Sequence, residues 1–283
     1  MSKVFLKLES LQHTHSFKVR GAFSRVLDFV GAGDPRRLLT VSAGNHGCAI
    51  ARAASILNLP CTVVVPANAP ETKIEAIRKY GVALRIEGAN YDEAETWTLH
   101  LGENTDEYAF VSPYNDRLVI LGQGTLAFEI IEQLPEVTAI IIPIGGGGLA
   151  AGIGAAAKQL RPSVRVIGVQ TEASAAIYHG LKLGHMVRVP DLPSVADGIA
   201  GNVDLHTMTF PLIQKYVDEV VLVSEDEIKS AMDHLARREK LVAEGAAAAA
   251  FAAVLFGKVD LNGSAAVVLT GGNVDFGGRG GRL

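Results

Sequence analysis

Apolar residues fall along this chain in two alternating rhythms. Short runs at residues 4–8, 38–42, 61–65, 83–87 and 108–112 have the length and β-branched content of strands. Between them lie longer stretches, 17–31, 45–57, 71–80 and 91–104, that read as helices, mostly with apolar positions every three or four residues. Strand then helix, repeated, predicts a parallel sheet wrapped by helices. Ser16 is expected to cap the first of these helices. Pro66 ends the strand at Val65, and Gly81 closes the helix that starts at Glu71. Further on, an apolar strand at 138–144 runs into four glycines and a small-residue helix opening at Leu149, and the alanine run 246–250 is a good helix former.

The glycines Gly145, Gly146, Gly147 and Gly148 carry the first chemical hint. Four in succession are costly in conformational entropy. A chain keeps them where side chains would block something approaching the backbone. At a strand-to-helix junction the free N–H groups and the positive end of the helix dipole suit a phosphate. A nucleotide is the default ligand, and the pattern argues against it. There is no Gly-x-x-x-x-Gly-Lys-Ser/Thr loop, and the glycines do not follow a first strand as Gly-x-Gly-x-x-Gly.

Composition narrows the class. With 283 residues, 48% of them hydrophobic, there is material for one large or two modest domains. A net charge of -4 without a Lys/Arg cluster argues against nucleic acid as a partner. The uncharged stretch 137–157 is broken by Pro143 and the glycines, and 245–257 is shorter than the ~20 residues a membrane-spanning helix needs. No membrane segment and no signal peptide are read, so the expected location is cytoplasmic. Cys48 and Cys61 lack any metal-ligand spacing and read as small core residues in a reducing compartment. Turn-rich joints near 31–35 and 112–116 suggest a small lobe, residues 36–114, inserted into a larger one made of 1–35 and 115–283.

Three further segments complete a pattern with the glycines. They are Ser16-Phe17-Lys18-Val19-Arg20-Gly21-Ala22, Ser42-Ala43-Gly44-Asn45-His46-Gly47 and Leu269-Thr270-Gly271-Gly272-Asn273. Four motifs in this order, from Val4 to Asn273, resemble the fold-type II, tryptophan-synthase-β-like enzymes of pyridoxal phosphate (PLP). Within them the chain is most similar to the threonine dehydratase, serine dehydratase and serine racemase group. The stretches 168–170 and 217–228 look most like catabolic threonine dehydratases. The resemblance implies two parallel-sheet α/β domains with PLP in the cleft between them. It implies that Lys18 forms the Schiff base with PLP, with Phe17 beside it, and then removes the substrate Cα proton. Such a lysine must be unprotonated, which apolar burial favours. By the same resemblance Asn45 meets the phenolic oxygen of PLP, Gly145–Gly148 its phosphate, and Thr270 its pyridine nitrogen. The turn Ser42, Ala43, Gly44, Asn45 and His46 would grip the substrate carboxylate, which its N–H groups and the Ser42 hydroxyl suit. A neutral hydroxyl at Thr270, in place of an aspartate, favours prompt loss of a β-substituent over a long-lived carbanion.

Departures from the family sharpen the reading. Serine racemases carry a serine as second base where this chain has Ala43, so elimination is expected over racemisation. Members with a divalent metal carry acids where Gln170 and Ala176 stand, so no metal is expected. Relatives carry some tens of residues ahead of the strand at Val4. The short stretch after Asn273 leaves no room for a regulatory domain, so isoleucine feedback is not expected. The function expected is β-elimination of L-threonine and L-serine to 2-oxobutyrate or pyruvate and ammonia, and a homodimer is what the family resemblance implies. The alternatives are serine racemase, PLP-dependent β-replacement, disfavoured by His46 where threonine is usual, and a non-catalytic PLP-binding relative.

Overall fold

The computed structural model describes residues 2–190 and 192–274. The glycine- and arginine-rich tail from Gly277 to Leu283 lies outside the described residues. Packing divides the chain into two units. One holds the described residues up to Phe17 and from Gln123 onward, and the other is Lys18–Gly122. The second unit is wider than the lobe read at 36–114, because the helix after Lys18 packs on the helix that begins at Asn45.

The first unit is built on five parallel strands. In chain order they are β1 (Lys3–Leu8), β6 (Val137–Pro143), β7 (Arg165–Thr171), β8 (Glu219–Val223) and β9 (Ser264–Leu269), arranged β1-β9-β6-β7-β8. Phe5 pairs with Ala266, Ile141 with Val267, and Ile167 with Glu219. The near-continuous apolar runs of β6 and β9 are what a parallel sheet covered on both faces requires. Its helices include α6 (Gly148–Leu160), α7 (Ala176–Leu183), α8 (Thr209–Tyr216), α9 (Glu225–His234) and α10 (Gly245–Leu255). The alanine run is the heart of α10, and Ala247, Ala248, Ala249 and Ala250 are all fully buried against Ile141, Ile167 and Val267. Small side chains let this helix lie close to the sheet. At its first residue, Gly245, a Cβ would stand 2.0 Å from the carbonyl oxygen of Val195. Ser224 starts α9 with a reciprocal capping box to Glu227.

The second unit is a smaller sheet of four parallel strands, β2 (Arg37–Val41), β3 (Cys61–Val65), β4 (Ala83–Ile86) and β5 (Tyr108–Phe110), ordered β4-β3-β2-β5. Alternate residues serve opposite faces. Leu38, Val63 and Val65 join a core with α1 (Lys18–Gly31), α2 (Asn45–Ile56) and α3 (Glu71–Arg78). Leu39, Val41 and Val64 pack instead with Ala94 and Trp97 of α4 (Tyr91–Glu103). The buried stripe Val19, Ala22, Val26 and Phe29 repeats at the three- and four-residue spacing read from the sequence. Helix α5 (Arg117–Gln133) leads the chain back to the first unit. One local expectation fails. The Ser16 hydroxyl is fully buried without a hydrogen-bond partner, so it does not cap α1.

Candidate active site

In the first unit, three chain segments leave the sheet at its carboxyl edge, where open α/β sheets carry their ligands. Ile141 lies opposite Val267, so β6 and β9 deliver Ile144 and Thr270 to the same edge. Thr270 is 2% exposed, and its carbonyl accepts the Phe17 N–H at 2.9 Å. Around it, Ser16 bridges Gly271, the Gly272 N–H reaches His15 O at 2.9 Å, and the Asn273 amide reaches Thr14 O at 2.9 Å. The segment before Lys18 is thus laced to the segment that holds Thr270. The Glu244 carboxylate lies over the same turn, 2.3 Å from where a Gly271 Cβ would sit, so a side chain at Gly271 would push the Glu244 carboxylate aside.

Beyond Ile144, the chain turns through the glycines into α6. Gly147 takes a φ of +89°, left-handed, and a Cβ on it would meet Ile213 at 2.6 Å and Thr209 at 2.9 Å. The first bond back along the helix runs from the Ala151 N–H to Gly147 O, so the amides ahead of it have no acceptor within the helix. That end of α6 carries amide donors and no acidic side chain in its first turn, which suits an anion.

In the second unit, β2 delivers Ser42, Ala43 and Gly44 to the start of α2. The turn is fixed from within. The Ser42 N–H donates to Val64 O at 3.0 Å, and the Gly44 N–H donates to the Ser42 hydroxyl at 3.1 Å. Gly47 is indispensable to it, because a Cβ there would stand 2.1 Å from Ser42 O. Gly47 belongs to the Ser42–Gly47 motif, whose local pattern gives this glycine no role. Its place as a second glycine within one turn of the first is the signal that was available.

Lys18 and His46 share one source of acceptors, the chain leaving β5. The Lys18 amine donates to Pro113 O at 2.8 Å, and His46 Nε2 lies 3.2 Å from Val111 O. A carbonyl only accepts, so Nε2 carries the imidazole proton, and the buried Nδ1 is an acceptor without a protein partner. Burial, reinforced by the Lys18 charge, pulls the His46 pKa down to about 3. His46 is therefore a neutral ring at neutral pH. Pro113 and Val111, which hold these two side chains, act through main-chain carbonyls that no sequence motif reveals.

Gln170 and Ala176, which stand where metal-dependent members of the family carry acids, take part in other contacts. The Gln170 amide donates to Ile144 O at 3.3 Å and accepts the Tyr178 N–H at 2.8 Å, while Ala176 is buried at the start of α7. Among the described residues no group of three or more His, Cys, Asp or Glu is placed to hold a metal ion, and no helix is long and apolar enough to cross a membrane. Cys48 and Cys61 are free and buried, and burial pushes the Cys61 thiol up to about 12.

The description "pyridoxal-phosphate dependent enzyme" matches residues 1–271, and the chain belongs to that family. It is similar to an L-threonine ammonia-lyase of Thermotoga maritima, 44% identical over 96% of this chain and 68% of the relative. The catabolic L-threonine dehydratase TdcB of Escherichia coli is 38% identical over 97% of this chain and 84% of its own. Among solved structures, maize serine racemase superposes with a TM-score of 0.90 at 31% identity, covering 97% of this chain and 84% of that one. The residues present fit the cofactor: a glycine cradle of amide donors for a phosphate, a half-buried primary amine at Lys18, and a buried hydroxyl at Thr270.

Proposed function

We propose that this chain catalyses the PLP-dependent β-elimination of L-threonine and L-serine, releasing 2-oxobutyrate or pyruvate with ammonia. The observation that carries this is similarity, over almost the whole chain, to enzymes named for threonine ammonia-lyase and threonine dehydratase. When bound, PLP supplies an electron sink for the charge left at the substrate Cα. The remaining work belongs to the chain's own residues. The amides of Gly145, Gly146, Gly147 and Gly148 hold the phosphate, Asn45 the phenolic oxygen, and the Thr270 hydroxyl the pyridine nitrogen. Phe17 gives apolar cover beside Lys18. The Lys18 amine would hold the cofactor aldehyde until the substrate amine displaces it there, and the freed Lys18 amine would then take the Cα proton. Ser42, Ala43, Gly44, Asn45 and His46 grip the substrate carboxylate. The neutral His46 ring serves there as a hydrogen-bonding wall, because a ring that gains its second proton only near about 3 has no imidazolium proton to give near pH 7.

The likeness to serine racemases favours a second reading, racemisation. Ala43 argues against it, since a methyl group cannot move a proton on the second face of the substrate. A homodimer in the cytoplasm completes the proposal. The family resemblance supports the dimer, and the free, buried Cys48 and Cys61 accord with a reducing compartment.

The test is keto acid release from L-threonine and L-serine by the purified chain with PLP, beside Lys18→Ala. Keto acid from the wild type and none from the variant is the expected result. Wild-type protein that binds PLP and releases no keto acid from either amino acid sinks the proposal.

A further inference from the structure

A pair of buried threonines backs the glycine loop. Thr207 is 4% exposed and Thr209 is fully buried at the start of α8. The Thr209 hydroxyl donates to Gly146 O at 2.8 Å, and the two threonine hydroxyl oxygens lie 2.9 Å apart. A hydroxyl has one proton. Since that of Thr209 is committed to Gly146, Thr207 supplies the proton of the second bond. The order is Thr207 to Thr209 to the Gly146 carbonyl.

This chain sets a direction. The peptide joining Gly146 to Gly147 is planar and trans, so its carbonyl and its N–H point opposite ways. Anchoring the carbonyl on Thr209 turns the Gly147 N–H away from α8. Were the peptide to flip, the loop would offer an oxygen where an anion needs a donor. The close fit of Gly147 against Ile213 and Thr209 leaves the loop little room to compensate.

We propose that Thr209, backed by Thr207, is a positioning residue that aims the Gly147 N–H at the cofactor phosphate. The inference rests on the reading of Gly145–Gly148 as the phosphate cradle. Neither threonine stood out in the sequence, because the contact joins residues 63 positions apart.

The experiment titrates the full-length apoenzyme with PLP and with pyridoxal, which lacks the phosphate, for the wild type, Thr209→Ser and Thr209→Val. The expected result is a loss of about 10- to 100-fold in PLP affinity for Thr209→Val, the scale of one hydrogen bond to a charged group. Its pyridoxal affinity stays at the wild-type value, and Thr209→Ser binds both as the wild type does. A wild type that prefers PLP, with a Thr209→Val variant that keeps the same preference, overturns the proposal and leaves the cradle standing. Equal weakening toward both ligands also overturns it, since that marks a merely structural role. A wild type without preference for PLP removes the cradle and the proposal together. Should Thr209→Val fail to fold, Thr207→Val replaces it. A smaller, still phosphate-specific loss is then expected, and an unchanged preference refutes the idea.

Discussion

Gly47→Ala is the sharpest perturbation of the proposed carboxylate grip. The added methyl would stand 2.1 Å from Ser42 O and 3.1 Å from Ser42 C, with Ile77 at 3.2 Å. The Ile77 side chain can turn aside, but a main-chain carbonyl cannot. Either the turn at Ser42 or the start of α2 must therefore shift by about 1 Å. Overpacking of this kind costs about 1–3 kcal/mol of stability, and the 3.0 Å bond from the Ser42 N–H to Val64 O resists the shift. Displacing reaction-site groups by about 1 Å costs on the order of 100-fold in rate, which corresponds to about 3 kcal/mol. The expectation is a loss of roughly that size in kcat/KM for L-threonine. Most of it should appear in KM, because the carboxylate is held alike in ground and transition states. Steady-state keto acid release, beside a thermal melt of the holoenzyme, reads both quantities. A variant with wild-type kcat/KM and an unshifted melting midpoint would refute the steric reasoning. Lost activity at unchanged KM would refute the role given to the turn.

Two further outcomes test neighbouring residues. Ala43→Ser should raise D-serine formation from L-serine at least roughly tenfold relative to pyruvate release, since one added general base is worth about 10²–10⁴-fold where it is well placed; chiral chromatography reads the ratio, and an unchanged ratio counts against the position. His46 links stability to pH. The unfolded chain takes up a proton near the ordinary histidine value of ~6.5, while the folded chain does so only near about 3. The His46 contribution is therefore fully present above ~6.5 and is lost as pH falls toward about 3, by at most about 1.4 kcal/mol per unit. Denaturant unfolding at pH 7 and pH 5 should show the wild type losing about 2 kcal/mol more than His46→Gln, and equal losses would mean that His46 titrates normally.

What the sequence determined by itself was the architecture. Runs of Val, Ile and Leu long enough for a strand and flanked by helical spacing can only be satisfied by a parallel sheet covered on both faces, and both sheets are of that kind. The glycine block, the Lys18 segment, the Ser42–His46 turn and Thr270 are each contiguous, so each was legible without coordinates. What only the tertiary structure decided depends on groups distant in sequence. It took the fold to bring Phe17 to Thr270, to put the Lys18 amine on Pro113 O, and to strip His46 of water and so of its positive charge. Ser16 shows the limit from the other side, for a serine ahead of a helix reads as a cap, yet its hydroxyl is buried without a hydrogen-bond partner. Burial and long-range hydrogen bonds are properties of the packed chain, and no local pattern encodes which carbonyl a side chain will meet.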